Sequence, residues 1–366
     1  MSEDQNNLPY TLSQLLKALV DQGGSDLHLA VGSSPRMRVN GVVLALDLDV
    51  LTPQDTHLLC TSVLTEEKRN VLERNKEIDL SFQVGGVGRF RANVFFQKGS
   101  LSGVFRWIPL NIPTLNSLKL PRVIQNLTKE KQGLILVTGP TGSGKSTTLA
   151  ALVDDINSHQ QKHIVTLEDP IEFLHVHKKS LVNQREIGRD SESFSRALKS
   201  ALRQDPDVVL VGELRDQDSV SMAMTMAETG HLVLATLHTN SAIATLSRII
   251  DVFPSHQQSQ IQTQLSFSLT AVLAQTLLPS IRGGRVMAME ALIPNSAVRN
   301  LIREGKMHQV YSQMQVGQEK TQMFTLNQSL MNLVRTQQIS IDVALNASYN
   351  SIEFQEMLSK NKIGRS

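Results

Sequence analysis

The 366-residue chain holds a single cysteine, Cys60. An intrachain disulfide framework and a cysteine-rich zinc site are both excluded, and a reducing compartment is the expected setting. Excess charge is also scarce. Lys and Arg total 36 against 34 Asp and Glu, a formal net charge of +2. No strong basic field argues for nucleic acid, although such a sum does not exclude a local groove. Long apolar runs are missing too. None approaches the roughly 20 residues needed to span a bilayer. The opening MSEDQNNLPY lacks the charged-then-apolar order of a signal peptide. These absences predict a cytoplasmic protein that reaches a membrane only through a partner. No internal repeat or low-complexity segment is found.

What is present is ordinary for a globular protein: 40% hydrophobic and 19% charged residues. The length predicts two domains, or one domain with a helical extension. Residues 11–22 repeat apolar side chains at helical spacing behind a Thr that can cap, and Gly23-Gly24 stops them. SDLHLAVG and PRMRVNGVVLAL alternate as strands, with Asn40-Gly41 a tight hairpin signal. Residues 53–75 read as helical, and IDLSFQV, GRFRANVFFQ and LSGVFRWIP as further strands. Residues 1–108 therefore read as a small α+β domain with an antiparallel sheet.

A stretch marked by Pro109, Pro113 and Pro121 reads as a linker over 109–121. From residue 122 to 294 buried strands alternate with helices, the pattern of a parallel sheet covered on both faces. Beyond about residue 255 the chain turns mostly helical, apart from a strand pair near RVMAMEALIP, and 295–366 reads as a helical extension.

The chemistry starts at GPTGSGKS, Gly139-Pro140-Thr141-Gly142-Ser143-Gly144-Lys145-Ser146, followed by Thr147. It fits G-x-x-x-x-G-K-[ST] in full and lies between an expected strand and an expected helix. Its glycines let backbone N–H groups turn inward around phosphates. Lys145 adds a point charge at the β- and γ-oxygens, and Ser146 can ligate Mg²⁺. ATP and Mg²⁺ are the cofactors this predicts.

Two acidic strand ends accompany the loop. In DPDVVLVGELRD, Gly212 stands where these ATPases usually place an Asp, and Glu213 follows. In VTLEDPIEF, Glu168 and Asp169 end another strand. Ligands of open α/β sheets bind at that edge. One carboxylate for the metal and one to activate water is the functional reading; a helix-capping glutamate and a solvated acidic turn are the plain ones. In AETGHLVLATLHTNSA, His231 precedes a buried strand and His238 ends it. An imidazole there can sense loss of the γ-phosphate, or simply pack. Arg89, Arg91 and Arg106 sit on first-domain strands, as a solvated face or as cations acting on a neighbour's nucleotide. Arg196, Arg203 and Arg215 read as structural partners of the acidic motifs. In NSAVRNLIREGKMHQV, Ala297, Val298, Leu301 and Ile302 share one helical face, and Arg299 and Arg303 share another that reads as solvated.

Together GPTGSGKST, VTLEDPIE, VGELRD and AETGHLVLATLHTN resemble the secretion ATPase superfamily, the hexameric motors of type II secretion and type IV pili. SDLHL, GRFR and VFRWIP look like its N-terminal sheet domain. SAVRNLIREGKMHQVYSQMQVGQ and FTLNQSLMNLV resemble the pilus-retraction branch. Val298 stands where that branch commonly has isoleucine, a mild departure.

The resemblance implies an α/β fold: a RecA-like P-loop ATPase domain behind a smaller PAS-like α+β domain, with a helical C-terminal extension. It implies that Glu168 activates water, that Glu213 sits at the metal with Ser146, and that His231 and His238 form a histidine box. It implies that Arg89 and Arg106 reach a nucleotide across a subunit interface of a homohexamer. The implied partners are an inner-membrane platform protein and an accessory retraction ATPase. The accessory motor itself is the nearest alternative reading. A RecA-like nucleic-acid translocase and a nucleotide-gated scaffold are remoter ones, which the near-neutral charge and the acidic and histidine motifs disfavour.

Overall fold

The structure is a computed structural model that describes residues 8–39, 41–108, 111–316 and 321–361. Asn40 of the hairpin signal, Pro109 and Leu110 of the proline-rich stretch, and Gly317 and Gln318 of the C-terminal resemblance lie outside the described residues. Two compact units, Met1–Asn111 and Ile112–Ser366, divide the chain.

The first unit opens with α1 (Leu12–Asp21). Thr11 caps it, accepting from Gln14 N while the Gln14 side chain accepts from Thr11 N, a reciprocal capping box. Two helices, α2 (Pro53–Thr61) and α3 (Glu66–Asn75), replace the single helical span expected over 53–75. Thr65 breaks it by capping α3 at Lys68 N. The strands are β1 (Asp26–Leu29), β2 (Arg36–Val39), β3 (Val42–Ala45), β4 (Glu77–Val84), β5 (Gly88–Gln97) and β6 (Ser100–Ile108). They pair antiparallel in the order β3-β2-β1-β6-β5-β4. Leu16, Leu19, Leu27, Met37, Phe90 and Phe105 centre its core. Cys60 is buried among them, and burial pushes its thiol up to about 12. It is a packed apolar side chain rather than a reactive one.

The second unit is built on β7 (Gly133–Thr138), β8 (His163–Glu168), β9 (Leu181–Glu186), β10 (Val208–Val211), β11 (Leu232–Leu237), β12 (Leu269–Pro279) and β13 (Arg285–Leu292). Their order is β13-β12-β7-β11-β10-β8-β9, with β13 antiparallel at one end and the rest parallel. Strand side chains alternate between faces. Leu134 and Leu136 therefore enter one core with α6 (Phe194–Ala201), α7 (Gln217–Glu228), α8 (Ala242–Asp251) and α9 (Ser255–Ser268). Ile135 and Val137 enter the other, with α4 (Arg122–Asn126) and α5 (Lys145–His159). This is the mixed α/β architecture expected, with apolar runs buried on both faces.

Leu115 and Leu120, inside the proline-rich stretch, are buried in the α5-side core. Helix α10 (Ser296–Arg303) sends Val298 and Ile302 into the α7-side core. Helices at Leu326–Arg335, Ile341–Ala347 and Ser351–Lys360 build a separate small core with Leu278 and Ala288 of β12 and β13. The reading of the Arg299 face as solvated is corrected. Arg299 Nη1 donates to Ser266 O at 2.5 Å and Phe267 O at 3.2 Å, covering carbonyls at the end of α9. Arg303 on the same face is exposed, its guanidinium 5.8 Å from the Phe267 ring centroid.

Candidate active site

The glycine loop joins buried β7 to α5, at the C-terminal edge of the parallel sheet. Gly139 holds φ +142, and a Cβ there would fall 2.2 Å from Gln275 O. Only glycine fits so close an approach. Gly144, φ +90, stands at the cap position before α5 and offers no side-chain cap, so the first-turn N–H groups stay directed at the loop. Most other helices here begin on a capping Thr, Ser, Asp or Asn. An uncapped N-terminus under a tight glycine loop is an anion cradle.

Lys145 is 9% exposed, and its Nζ donates to Gly139 O at 2.8 Å and Pro140 O at 3.0 Å. Burial draws its ammonium below the ordinary lysine value, against the opposing pull of Glu213 and Glu172. Its charge is thus parked on the loop's own carbonyls. Thr141 and Gly142 are exposed at the tip, and Ser146 and Thr147 are half-buried in the first turn of α5.

Glu168 ends β8. Thr166 Oγ1 donates to its Oε1 at 2.6 Å and Gln184 Nε2 donates to the same oxygen at 3.1 Å. The residue keeps partial exposure, yet its carboxyl is deep enough that burial lifts its pKa. Thr166, Gln184 and the Glu172 N–H oppose that rise, and the Glu172 charge adds to it. A carboxyl raised this way suits a general base.

Glu213 follows β10. Arg215 Nη2 lies 2.7 Å from its Oε2 and His238 Nε2 3.4 Å from its Oε1. Burial alone would raise its pKa, but Arg215 and His238 outweigh burial and hold it low. Gly212 explains the missing Asp. A Cβ at 212 would press to 3.2 Å from Leu167 O and 3.3 Å from Glu168 Cα. A side chain there would press on the backbone that carries Glu168.

The parallel register brings the ends of β7, β8, β10 and β11 to one sheet edge. The loop, Glu168, Glu213 and His238 share that edge. His231 does not. It precedes β11, bonds through Nδ1 to Met226 O at 3.0 Å, and passes its own carbonyl to Gly133 N at 3.0 Å. A six-residue strand places it about 20 Å from the loop. In the first unit Arg89, 8% exposed, donates to Ser81 Oγ at 2.9 Å. Arg106 Nε donates to buried Asp26 Oδ1 at 2.8 Å while its own side chain stays 66% exposed.

The sequence gives no sign of Gln275, which is 2% exposed on β12. Its Nε2 donates to Ser143 O at 2.8 Å and its Oε1 accepts from Thr148 Oγ1 at 3.0 Å. One amide thereby ties the loop to the first turns of α5. Thr166 and Gln184 are further residues that only the pairing of β8 with β9 brings to light. Ser146 and Glu213 offer hydroxyl and carboxylate oxygens, the hard donors Mg²⁺ takes beside phosphate. Among the described residues no cluster of three His, Cys, Asp or Glu forms a separate metal cage.

Comparison with known proteins gives the family. The family described as "Type II/IV secretion system protein" matches residues 108–348. The type IV pilus retraction ATPase PilT of Pseudomonas aeruginosa is 48% identical over 323 residues, 88% of this chain and 94% of that protein. A twitching motility protein of Neisseria gonorrhoeae is 45% identical over 345 residues, 94% of this chain and 92% of that one. A crystal structure of the pilus retraction motor PilT with bound ADP superposes with a TM-score of 0.90 at 50% identity. It covers 95% of this chain and all of that one. The chain belongs to the type II/IV secretion system protein family.

Proposed function

We propose that this chain is an ATPase motor that drives retraction of type IV pili and, through it, twitching motility. The observation that carries the reading is the end-to-end likeness to an ADP-bound retraction motor. The phosphate cradle edged by Glu168, Glu213 and His238 supplies the chemistry. In the reaction, water attacks the γ-phosphorus of ATP, the bond to the β-phosphate oxygen breaks, and ADP and phosphate leave.

Each residue has a role in this reading. The N–H groups of Gly139–Thr147 cradle the phosphates. Lys145 leaves the carbonyls of Gly139 and Pro140 for the β- and γ-oxygens. Ser146 and Glu213 hold Mg²⁺, which when bound neutralises charge on the phosphate oxygens. Glu168 accepts the proton of the attacking water. His238, tied to Glu213, relays loss of the γ-phosphate toward α8. His231 stands at the far sheet edge and is assigned to packing of the α7–β11 junction.

The motor works as a homohexamer, with arginines of one subunit's first unit reaching the next subunit's nucleotide. Arg106 has the exposed guanidinium and is the better placed for this; Arg89 is committed to Ser81. The stretch 109–121 joins a PAS-like region (1–108) to a RecA-like region (122–294), turning before Leu115 and Leu120 enter the RecA-like core, with 295–366 as the helical extension. The ring acts on an inner-membrane platform protein from the cytoplasmic side, and no helix among the described residues is long and apolar enough to cross a membrane itself.

Deleting the gene in its native host tests the reading. Surface pili that persist but no longer retract are the expected result. Wild-type twitching, restored by a chain carrying Lys145→Ala, would overturn it.

A further inference from the structure

We propose that Gln184 is a positioning residue that, together with Thr166, fixes the carboxylate of Glu168 for attack on ATP. The inference rests on the reading of Glu168 as the water-activating base. Strands β8 and β9 run parallel with Thr166 directly opposite Gln184. Alternate strand positions face the same side, so Thr166, Glu168 and Gln184 project from one face. Both donors converge on one oxygen, Glu168 Oε1, at 2.6 Å from Thr166 Oγ1 and 3.1 Å from Gln184 Nε2.

The Gln184 amide is fully committed. Its second N–H donates to Phe173 O at 2.8 Å, and its Oε1 accepts from His175 N at 2.7 Å. A backbone N–H can only donate and a carbonyl can only accept, so the amide has one possible orientation, with its nitrogen toward Glu168. One side chain thus fastens the carboxylate to the segment that leaves β8, the segment that carries Glu172. The Glu172 backbone N–H also favours the Glu168 anion. Among charged neighbours, Glu172 disfavours the Glu168 anion. Glu186, the register partner of Glu168 on β9, Asp169 next to it, Glu213 after β10 with its partners Arg215 and His238, and Lys145 on the loop are further ionisable groups at this edge.

Two consequences follow from removing the Gln184 donor. The carboxylate gains rotational freedom, which lowers turnover without touching the phosphate cradle. The anion also loses a hydrogen bond that favours it, so its ionisation moves to higher pH.

The test measures phosphate release by the full-length chain with ATP across pH. Gln184→Met keeps the volume and removes the amide. Its kcat should fall about tenfold at neutral pH, the loss of one hydrogen bond to a charged group. KM for ATP should stay within about twofold. The acidic limb of kcat should move to higher pH. Thr166→Val, which removes the other donor, should shift the limb the same way and decides the matter if Gln184→Met does not fold. Unmoved limbs in the folded variants, or a loss confined to KM, would overturn the proposal. Glu168→Gln separates the two levels. An inactive Glu168→Gln beside unmoved limbs sinks only the role of Gln184; full turnover in Glu168→Gln sinks the reading of the base itself.

Discussion

Arg215 Nη2 lies 2.7 Å from Glu213 Oε2, so the carboxylate proposed to hold the metal is already paired with a cation. The pair, with His238 beyond it, keeps the Glu213 pKa below its ordinary 4.5 in spite of burial. A depressed folded value contributes stability above the unfolded pKa and loses it as pH falls through the folded one. Arg215→Gln should therefore destabilise the chain near neutral pH and cost nothing once Glu213 is protonated. Solvent screens the exposed arginine, so the neutral-pH cost is expected below about 1 kcal/mol. Thermal melts of both proteins at pH 7 and stepped down into acid check this, the difference shrinking as Glu213 takes up its proton. A difference that persists undiminished in acid would refute the pairing as its cause.

Lys145 and Glu168 should fail in different ways. Lys145→Ala removes a buried cation whose fold contacts are two loop carbonyls. ATP turnover should drop at least about 10²-fold through lost charge stabilisation, with secondary structure unchanged by circular dichroism. Glu168→Gln keeps the shape and removes the base. It should bind ATP normally and turn over about 10²–10⁴-fold more slowly. Nucleotide titration beside steady-state kinetics separates the two. If Glu213→Gln alone were severe, the two carboxylates would have to exchange roles.

What the sequence reveals of this site follows from where its information is local. The glycine loop, the strand ends at Glu168 and Glu213 and the two-faced apolar runs are all short contiguous patterns. Gln275 is invisible because its partner Thr148 lies 127 positions away, and a glutamine in a strand has no periodic signature. Gln184 and Thr166 matter only through the register of β8 with β9. His231 looks like a companion of His238 because the two are close in sequence, but a strand between them carries them to opposite edges. Spacing shows which side chains share a face of α10. It does not show that the end of α9 covers Arg299.

Gln275 supports the cradle from beneath. Gln275→Leu would strand a buried carbonyl at Ser143 and a buried hydroxyl at Thr148. The expected cost is about 1–3 kcal/mol. Because the loop is the part released, ADP should also raise the melting temperature of the variant less than that of the parent. Equal melting temperatures with equal ADP shifts would remove Gln275 from the site.

Gly139 admits no side chain. Its φ is +142, and a Cβ would lie 2.2 Å from Gln275 O, a backbone atom of β12 that cannot swing aside. Gly139→Ala should lose ATP binding through a displaced loop. Gly142→Ala, at φ +79 with open space around it, faces only local strain. The two variants should differ clearly in nucleotide affinity by equilibrium titration. Parity between them would show that the loop tolerates rebuilding at its base.

Arg299 and Arg303 share a helix face but not an environment. Arg299 supplies hydrogen bonds to the carbonyls of Ser266 and Phe267 at the end of α9, and burial lowers its guanidinium pKa. Arg303 is exposed; its Nη2 donates to Asn300 Oδ1 at 2.9 Å on the same helix and its guanidinium lies over the Phe267 ring. Arg299→Leu leaves those carbonyls unanswered and should cost about 1–2 kcal/mol. Arg303→Ala forfeits an exposed cation–π contact and an exposed hydrogen bond to Asn300, and should cost about 0.5–1 kcal/mol. Melting temperatures of the two single variants give the ranking directly. An Arg303→Ala loss equal to or above that of Arg299→Leu would mean that the end of α9 is held by packing of Leu265 and Ile302 rather than by the arginine.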